Sequence, residues 1–209
     1  MLNHYRKRLI EQLLAQGISN SNVLEVMGAT ERHMFVDEAL SSHAYTNNAL
    51  PIGYGQTISQ PYIVARMTQA LLSQTNISKV LEIGTGCGYQ TAILAQLVKK
   101  VYTVERIKPL LDKAQKRLEI LGLNNIVFSH NDGYLGWNKY KSYQGIIVTA
   151  APTEIPEALL NQLSIGGCLI IPIGYKGKQS LLKIIRNHNT YEQYVLDQVS
   201  FVPLQKGLI

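Results

Sequence analysis

The chain has 209 residues, 46% of them hydrophobic, which suffices for one sizeable core and is unlike a disordered segment. No apolar run approaches the roughly 20 residues of a membrane-spanning helix, and the opening "MLNHYRKRLIEQLLAQG" interleaves charges with apolar positions, unlike a signal peptide. The net charge of +6 comes from 20 Lys and Arg against 14 Asp and Glu, but the basic residues form short scattered groups, as in a solvated surface rather than a nucleic-acid face.

In chain order, apolar residues recur at helical spacing from Leu2 to about Gln16, with Leu9, Ile10, Leu13 and Leu14 on one side and Asn3 placed to cap. A second short helix is expected over Val23 to Met27. A loop-rich stretch then runs to Gln60, with no strand required before residue 79, and a helix follows through Val64, Met67, Leu71 and Leu72. From residue 79 strand and helix alternate: "KVLEIG", "YQTAILAQLV", "KVYTVER", "PLLDKAQKRLEILG", "NIVFSHND", "QGIIVTAA", "EIPEALLNQL" and "GGCLIIPIG". This alternation predicts an α/β fold with a parallel sheet, right-handed crossovers and helices on both faces. "QSLLKIIRN" and "YEQYVLDQVSFVPL" have no helix between them, which predicts an antiparallel hairpin closing the sheet. A single domain over 1–209 is expected, with 1–78 as an N-terminal extension of helices and loop and 79–209 as the sheet core. Cys87 and Cys168 lie far apart and the five histidines are scattered, so reduced thiols and no metal site are expected.

The strongest chemical signal is "LEIGTGCGYQTA", residues 81 to 92. A strand ending in Gly84, Gly86 and Gly88 and turning into a helix lets the backbone approach a ligand closely and aims helix N–H groups at it. Alone, such a loop is equally a plain turn of the chain. Its context favours a ligand, because Glu105 follows 17 residues beyond Gly88 at the end of the second strand, where an acid binds a ribose diol. The dinucleotide fingerprint G-x-G-x-x-G would need glycine where this chain has Tyr89, and no Gly-Lys-Ser or Gly-Lys-Thr follows to make a phosphate loop. A nucleoside cofactor without a pyrophosphate remains. The acidic loop with Glu82 suits one that bears positive charge, and S-adenosylmethionine has that character.

"GQTISQP", "VLEIGTGCGYQTAILA", "VERI", "NDG" and "FVPL", in this order, resemble the protein-L-isoaspartate O-methyltransferase family over nearly the whole chain. The resemblance implies a Rossmann-like S-adenosylmethionine-dependent methyltransferase fold and methylation of the free α-carboxyl of L-isoaspartyl residues in damaged proteins and peptides. It implies that "QTISQP" closes over cofactor and substrate, with Ser59 the active-site residue and Thr57, Ile58 and Gln60 beside the cofactor. Gly84, Gly86 and Gly88 match the glycine loop, Glu105 the ribose-binding acid, and Asp132 with Gly133 the pair near the adenine. Val202, Pro203 and Leu204 match the segment that, with Thr57 and Ser59, helps hold the peptide. Cys87 stands where a serine is common. The implied partners are isoaspartyl proteins and peptides, with no nucleic acid and no membrane, in a cytoplasmic protein for which a monomer is favoured.

A free main-chain carboxyl has a pKa of about 3.5, so it is an anion near neutral pH and needs no general base. The lack of a His or Cys nucleophile pattern therefore does not count against the reading. Two bland roles compete at single positions: Ser59 as a helix N-cap before Pro61, and Asp132 as a turn residue in Asn-Asp-Gly. Among whole-protein rivals, an amino-group methyltransferase acting on RNA or DNA would carry Asn or Asp before Pro-Pro-aromatic after the fourth strand, where this chain has "TAAPTEIP". A non-catalytic cofactor-binding module is the other alternative.

Overall fold

A computed structural model describes residues 2–74 and 77–209. Helix α1 (Leu2–Ala15) starts ahead of Asn3, so that residue lies inside the first turn rather than capping it; its side chain is outside the described residues. Helix α2 (Ser21–Ala29) is capped by Asn20, whose side chain accepts from Val23 N at 3.1 Å. The apolar faces of α1 and α2 meet through Leu9, Leu13, Val23 and Met27, all buried. Two 3₁₀ turns follow, over Arg32–Phe35 and Glu38–His43.

The loop-rich stretch holds a hairpin that the sequence analysis does not anticipate: β1 (Leu50–Gly53) pairs antiparallel with β2 (Gln56–Ile58). Strands of four and three residues show too little alternation to be read as strands. Gly53, Tyr54 and Gly55 all have positive φ and make the reversal between them; Tyr54 does so despite its side chain. Helix α3 (Pro61–Leu72) begins directly after the "QTISQ" segment, with Pro at its first position, where a missing N–H costs nothing.

The sheet has seven strands: β3 (Lys79–Ile83), β4 (Lys100–Glu105), β5 (Ile126–His130), β6 (Tyr143–Val148), β7 (Leu163–Tyr175), β8 (Lys178–Arg186) and β9 (Tyr191–Val199). Their spatial order is β5-β4-β3-β6-β7-β8-β9. Pairing is parallel from β5 to β7, then antiparallel through β8 and β9, as the missing helix near the C-terminus predicts. Helices α4 (Tyr89–Ala95), α5 (Lys108–Ile120) and α6 (Glu157–Gln162) connect the parallel strands.

Coverage of the two faces is uneven. One carries α1 to α5, whereas the other has only the six-residue α6, 3₁₀ turns and an aromatic cluster of Tyr102, Trp137, Tyr140 and Tyr143. Strand alternation assigns side chains to faces: Val80 and Val101 turn toward α4, Leu81, Ile83 and Val104 away from it. Ion pairs such as Arg66–Asp197 (3.6 Å) and Arg6–Glu31 (3.7 Å) are partly exposed and contribute ~0–1 kcal/mol each. Each fully buried Leu, Ile or Val is worth ~1.5–3 kcal/mol, so the layered core holds the fold. Order reverses at β3, which lies between β4 and β6, and this switch point opens a crevice at the carboxyl ends of the strands.

Candidate active site

The connection from β3 to α4 forms one wall of that crevice. Gly84, Gly86 and Gly88 have φ of 95°, 54° and 90°, which L side chains rarely adopt. Gly84 is further constrained, since a Cβ there would lie 2.3 Å from Thr149 Oγ1, the hydroxyl that donates to Gly84 O at 2.8 Å. Glu105, at the end of β4, accepts from Gly86 N with Oε2 (2.8 Å) and from Ile107 N with Oε1 (2.9 Å). The acid thus fastens the glycine loop to the strand beside it and still faces the cavity.

That cavity is lined by Thr57, Ile58, Ser59, Gly84, Gly86, Glu105, Gly133, Val202, Pro203 and Leu204 among the expected residues. Segments distant in sequence converge because each ends an element at the same edge of the sheet. "FVPL" is laid beside β6 by two backbone bonds, Ala151 N to Val202 O (2.8 Å) and Leu204 N to Ala151 O (2.9 Å). Gly133 packs so closely on β3 that a Cβ would meet Ile83 Cγ2 at 2.5 Å.

A second cavity adjoins the first and shares Thr57, Ser59, Thr149 and Val202 with it. Its remaining polar side chains are neutral: Gln60, Gln179, Gln198 and Ser200. Ser59 is not the cap of α3; the N-cap is Gln60, without a side-chain cap, and Tyr62 N instead donates to Asn47 Oδ1 at 2.9 Å. With capping supplied from outside, the Ser59 side chain faces the junction of the two cavities.

Four residues expected at the cofactor are not among those that line the first cavity. Gln60 lines the second cavity and not the first. Gly88 is the left-handed cap of α4, and a Cβ there would press on Leu118 Cδ1 (3.1 Å) and Ala114 Cβ (3.3 Å), so its smallness serves helix packing. Asp132 caps a 3₁₀ turn, with Oδ1 accepting from Tyr134 N (2.9 Å) and Oδ2 from Gly207 N (2.7 Å), which agrees with the turn role for its side chain. Glu82 points under α4 because strand alternation turns it to that face; Oε2 accepts from the hydroxyls of Thr91 and Thr103, both at 2.6 Å. Burial pushes its pKa up to about 8, against the two hydroxyls, so at neutral pH it is mostly a neutral acid and supplies no charge for a cofactor.

The sequence reading missed Thr149, Arg106 and Tyr89, all of which line the first cavity. Position alone could have flagged the first two, since each follows directly on the carboxyl end of a strand at the switch point. Tyr89 takes the place a dinucleotide fingerprint gives to glycine, and burial pushes its phenol up to about 12. Cys87 also lines the cavity, and burial raises its thiol pKa, so it is predominantly the neutral thiol near pH 7.

A mostly parallel sheet with a glycine loop after its first strand, an acid closing its second and a cavity at the switch point is the arrangement of a nucleoside-binding α/β fold, and the comparisons with known proteins make it that of an S-adenosylmethionine-dependent methyltransferase. The family model described as Protein-L-isoaspartate(D-aspartate) O-methyltransferase matches residues 4–208. Among curated proteins, the protein-L-isoaspartate O-methyltransferase of Pseudomonas aeruginosa is 56% identical over 204 residues, covering 98% of this chain and 97% of its own. One from Nitrosococcus oceani is 58% identical over 200 residues, 95% of this chain and 94% of its own. A crystal structure of a Plasmodium falciparum protein assigned to the same activity, in complex with S-adenosyl-L-homocysteine, superposes with a TM-score of 0.82 at 27% identity, covering 97% of this chain and 99% of that one. The chain belongs to the protein-L-isoaspartate O-methyltransferase family and has that family's S-adenosylmethionine-dependent activity.

Proposed function

We propose that this chain repairs damaged proteins by methylating the free α-carboxyl of L-isoaspartyl residues, with Ser59 and Thr57 orienting the carboxylate where the two cavities meet. The supporting observation is that junction: Thr57, Ser59, Thr149 and Val202 belong to both cavities, so a peptide in one meets a cofactor in the other.

The residues present fit the cofactor. Gly84 and Gly86 bring the backbone of the glycine loop to the cavity wall, and each Glu105 oxygen holds one backbone N–H and keeps a lone pair for a ribose hydroxyl. Among the described residues no cation pairs with Glu105. S-adenosylmethionine, when bound, supplies a methyl group activated by a sulfonium sulfur. The chain's own work is to bind, orient and exclude water. Hydroxyls and amides around the junction hold an anion without locking it in an ion pair, and Ile58, Val64 and Ile83 keep the reacting side apolar. Val202 to Leu204 hold the peptide beside them.

We read the chain as one working domain, with 1–78 supplying the substrate loop and 79–209 the cofactor site. Among the described residues no helix is long and apolar enough to cross a membrane, and both cysteines are free and buried, which favours a reducing, cytoplasmic setting. The test is transfer of labelled methyl to an isoaspartyl peptide, its aspartyl twin and RNA. A normal aspartate carries its carboxylate one methylene farther from the main chain, and misplacement on that scale costs on the order of 10²-fold in rate. The isoaspartyl peptide should therefore exceed its twin by about that factor in kcat/KM, with no transfer to RNA. Comparable rates on the two peptides would leave a general carboxyl methyltransferase and end the repair reading.

A further inference from the structure

Arg32 is wholly buried, yet among the described residues no carboxylate pairs with it. Its Nε donates to Ala44 O at 2.8 Å and its Nη2 to Asn48 O at 3.4 Å, while Nη1 has no partner. The guanidinium lies over the ring of Tyr89, 4.8 Å from its centroid, and the Tyr89 hydroxyl is also unpartnered. A buried cation without a counter-charge destabilises a fold, and well-packed apolar side chains commonly serve stability better. Stability alone therefore does not account for Arg32.

Its three contacts join two parts of the active site. Ala44 and Asn48 belong to the segment that leads into the β1–β2 hairpin, and so to Thr57 and Ser59. Tyr89 is the first residue of α4, directly after the glycine loop, and lines the cofactor cavity. The same 3₁₀ turn supplies Phe35, whose ring meets Tyr89 edge-on at 5.3 Å. We propose that Arg32 is a positioning residue that sets the substrate loop in register with the cofactor loop, by bridging two carbonyls of the lead-in while standing over the ring of Tyr89.

The glycine loop does not depend on this bridge. Gly84 N donates to Val104 O, Gly86 N to Glu105, and Arg117 Nη1 to Cys87 O at 2.7 Å. Loss of Arg32 should accordingly leave cofactor binding in place and move Ser59 and Thr57 relative to it. Misplacement of about an ångström is expensive in rate rather than in affinity.

The proposal rests on the methyl-transfer reading, so unmodified protein is assayed in parallel with an isoaspartyl peptide; inactivity there would refute that reading, not the role of Arg32. Arg32→Met keeps the volume and removes the buried charge. It should stay folded, lose about tenfold or more in kcat, and bind S-adenosylhomocysteine by calorimetry within about threefold of the unmodified protein. Arg32→Lys keeps the charge but not the fork, and should also lose kcat without losing cofactor affinity, which carries the test if the methionine variant does not fold. Two outcomes overturn the proposal. One is a folded variant with unimpaired kcat; the other is turnover and cofactor affinity falling together, which would make Arg32 a support of the glycine loop alone.

Discussion

At the residue scale, the roles proposed for Glu105 and Ser59 separate binding from chemistry. Glu105→Ala removes the acceptor proposed for two ribose hydroxyls and the observed acceptor for Gly86 N and Ile107 N. We expect S-adenosylmethionine affinity to fall by ~1–3 kcal/mol with a loss of thermal stability, since the two backbone donors are left without a partner. Calorimetry that finds unchanged affinity would take Glu105 out of the site. Ser59 has no capping duty to lose, because α3 is capped through Asn47. Ser59→Ala should therefore preserve melting temperature and cofactor affinity while lowering kcat on isoaspartyl peptide, the signature of a contact used mainly at the transition state. Normal turnover in that variant would leave the carboxylate to other donors, such as Thr57.

At the scale of elements, Glu82 interlocks three of them: it stands on β3 and accepts from Thr103 of β4 and Thr91 of α4. Its pKa is raised from 4.5 to about 8 by burial, so in that window the folded chain binds a proton that the unfolded chain has released. Stability from this group is complete below pH 4.5, declines as pH rises and is gone above 8, by a few kcal/mol in all. Glu82→Gln, a permanent neutral mimic, should flatten the fall in unfolding free energy between pH 5 and 8; denaturant titrations with an unchanged slope would show that Glu82 is ionised in the native state. This residue also shows what the sequence left out of reach. "KVLEIG" is legible as a strand, but an acid beside a glycine loop looks like a ligand until alternation assigns it to the helix side. The same limit explains Asp132, whose partner Gly207 is 75 residues away. Alternating strands and helices made the sheet and its C-terminal hairpin readable. The β1–β2 hairpin was not readable, because its pairing is three residues deep on one side and its turn is made by backbone conformation more than by pattern.

At the scale of the whole molecule, the C-terminal segment acts as a strap across the cofactor cavity. Val202 to Gln205 form part of its wall, and beyond them the chain is held by residues that follow β4 and β5 and by the start of α5. Arg106 donates to Gly207 O (3.0 Å) and to Gln205 Oε1 (3.1 Å), Asp132 accepts from Gly207 N, and Lys108 N donates to Ile209 O at 2.8 Å. Most of these bonds are exposed and contribute ~0.5–1.5 kcal/mol each, far less than the buried sheet core. The end of the strap should thus open before the sheet does, and bound nucleoside should leave by that route. Arg106→Ala removes two of the bonds, but Arg106 lines the cavity itself; Gly207→Pro removes the N–H given to Asp132 and forbids the φ of 80° there, without altering the lining. Both variants should raise amide exchange across residues 205–209, leave β3, β4 and β6 protected, and speed S-adenosylhomocysteine dissociation in stopped flow by about tenfold, matching one or two lost bonds. Faster exchange in the strap with an unchanged dissociation rate would mean that the cofactor passes through the other side, between the β1–β2 hairpin and the glycine loop.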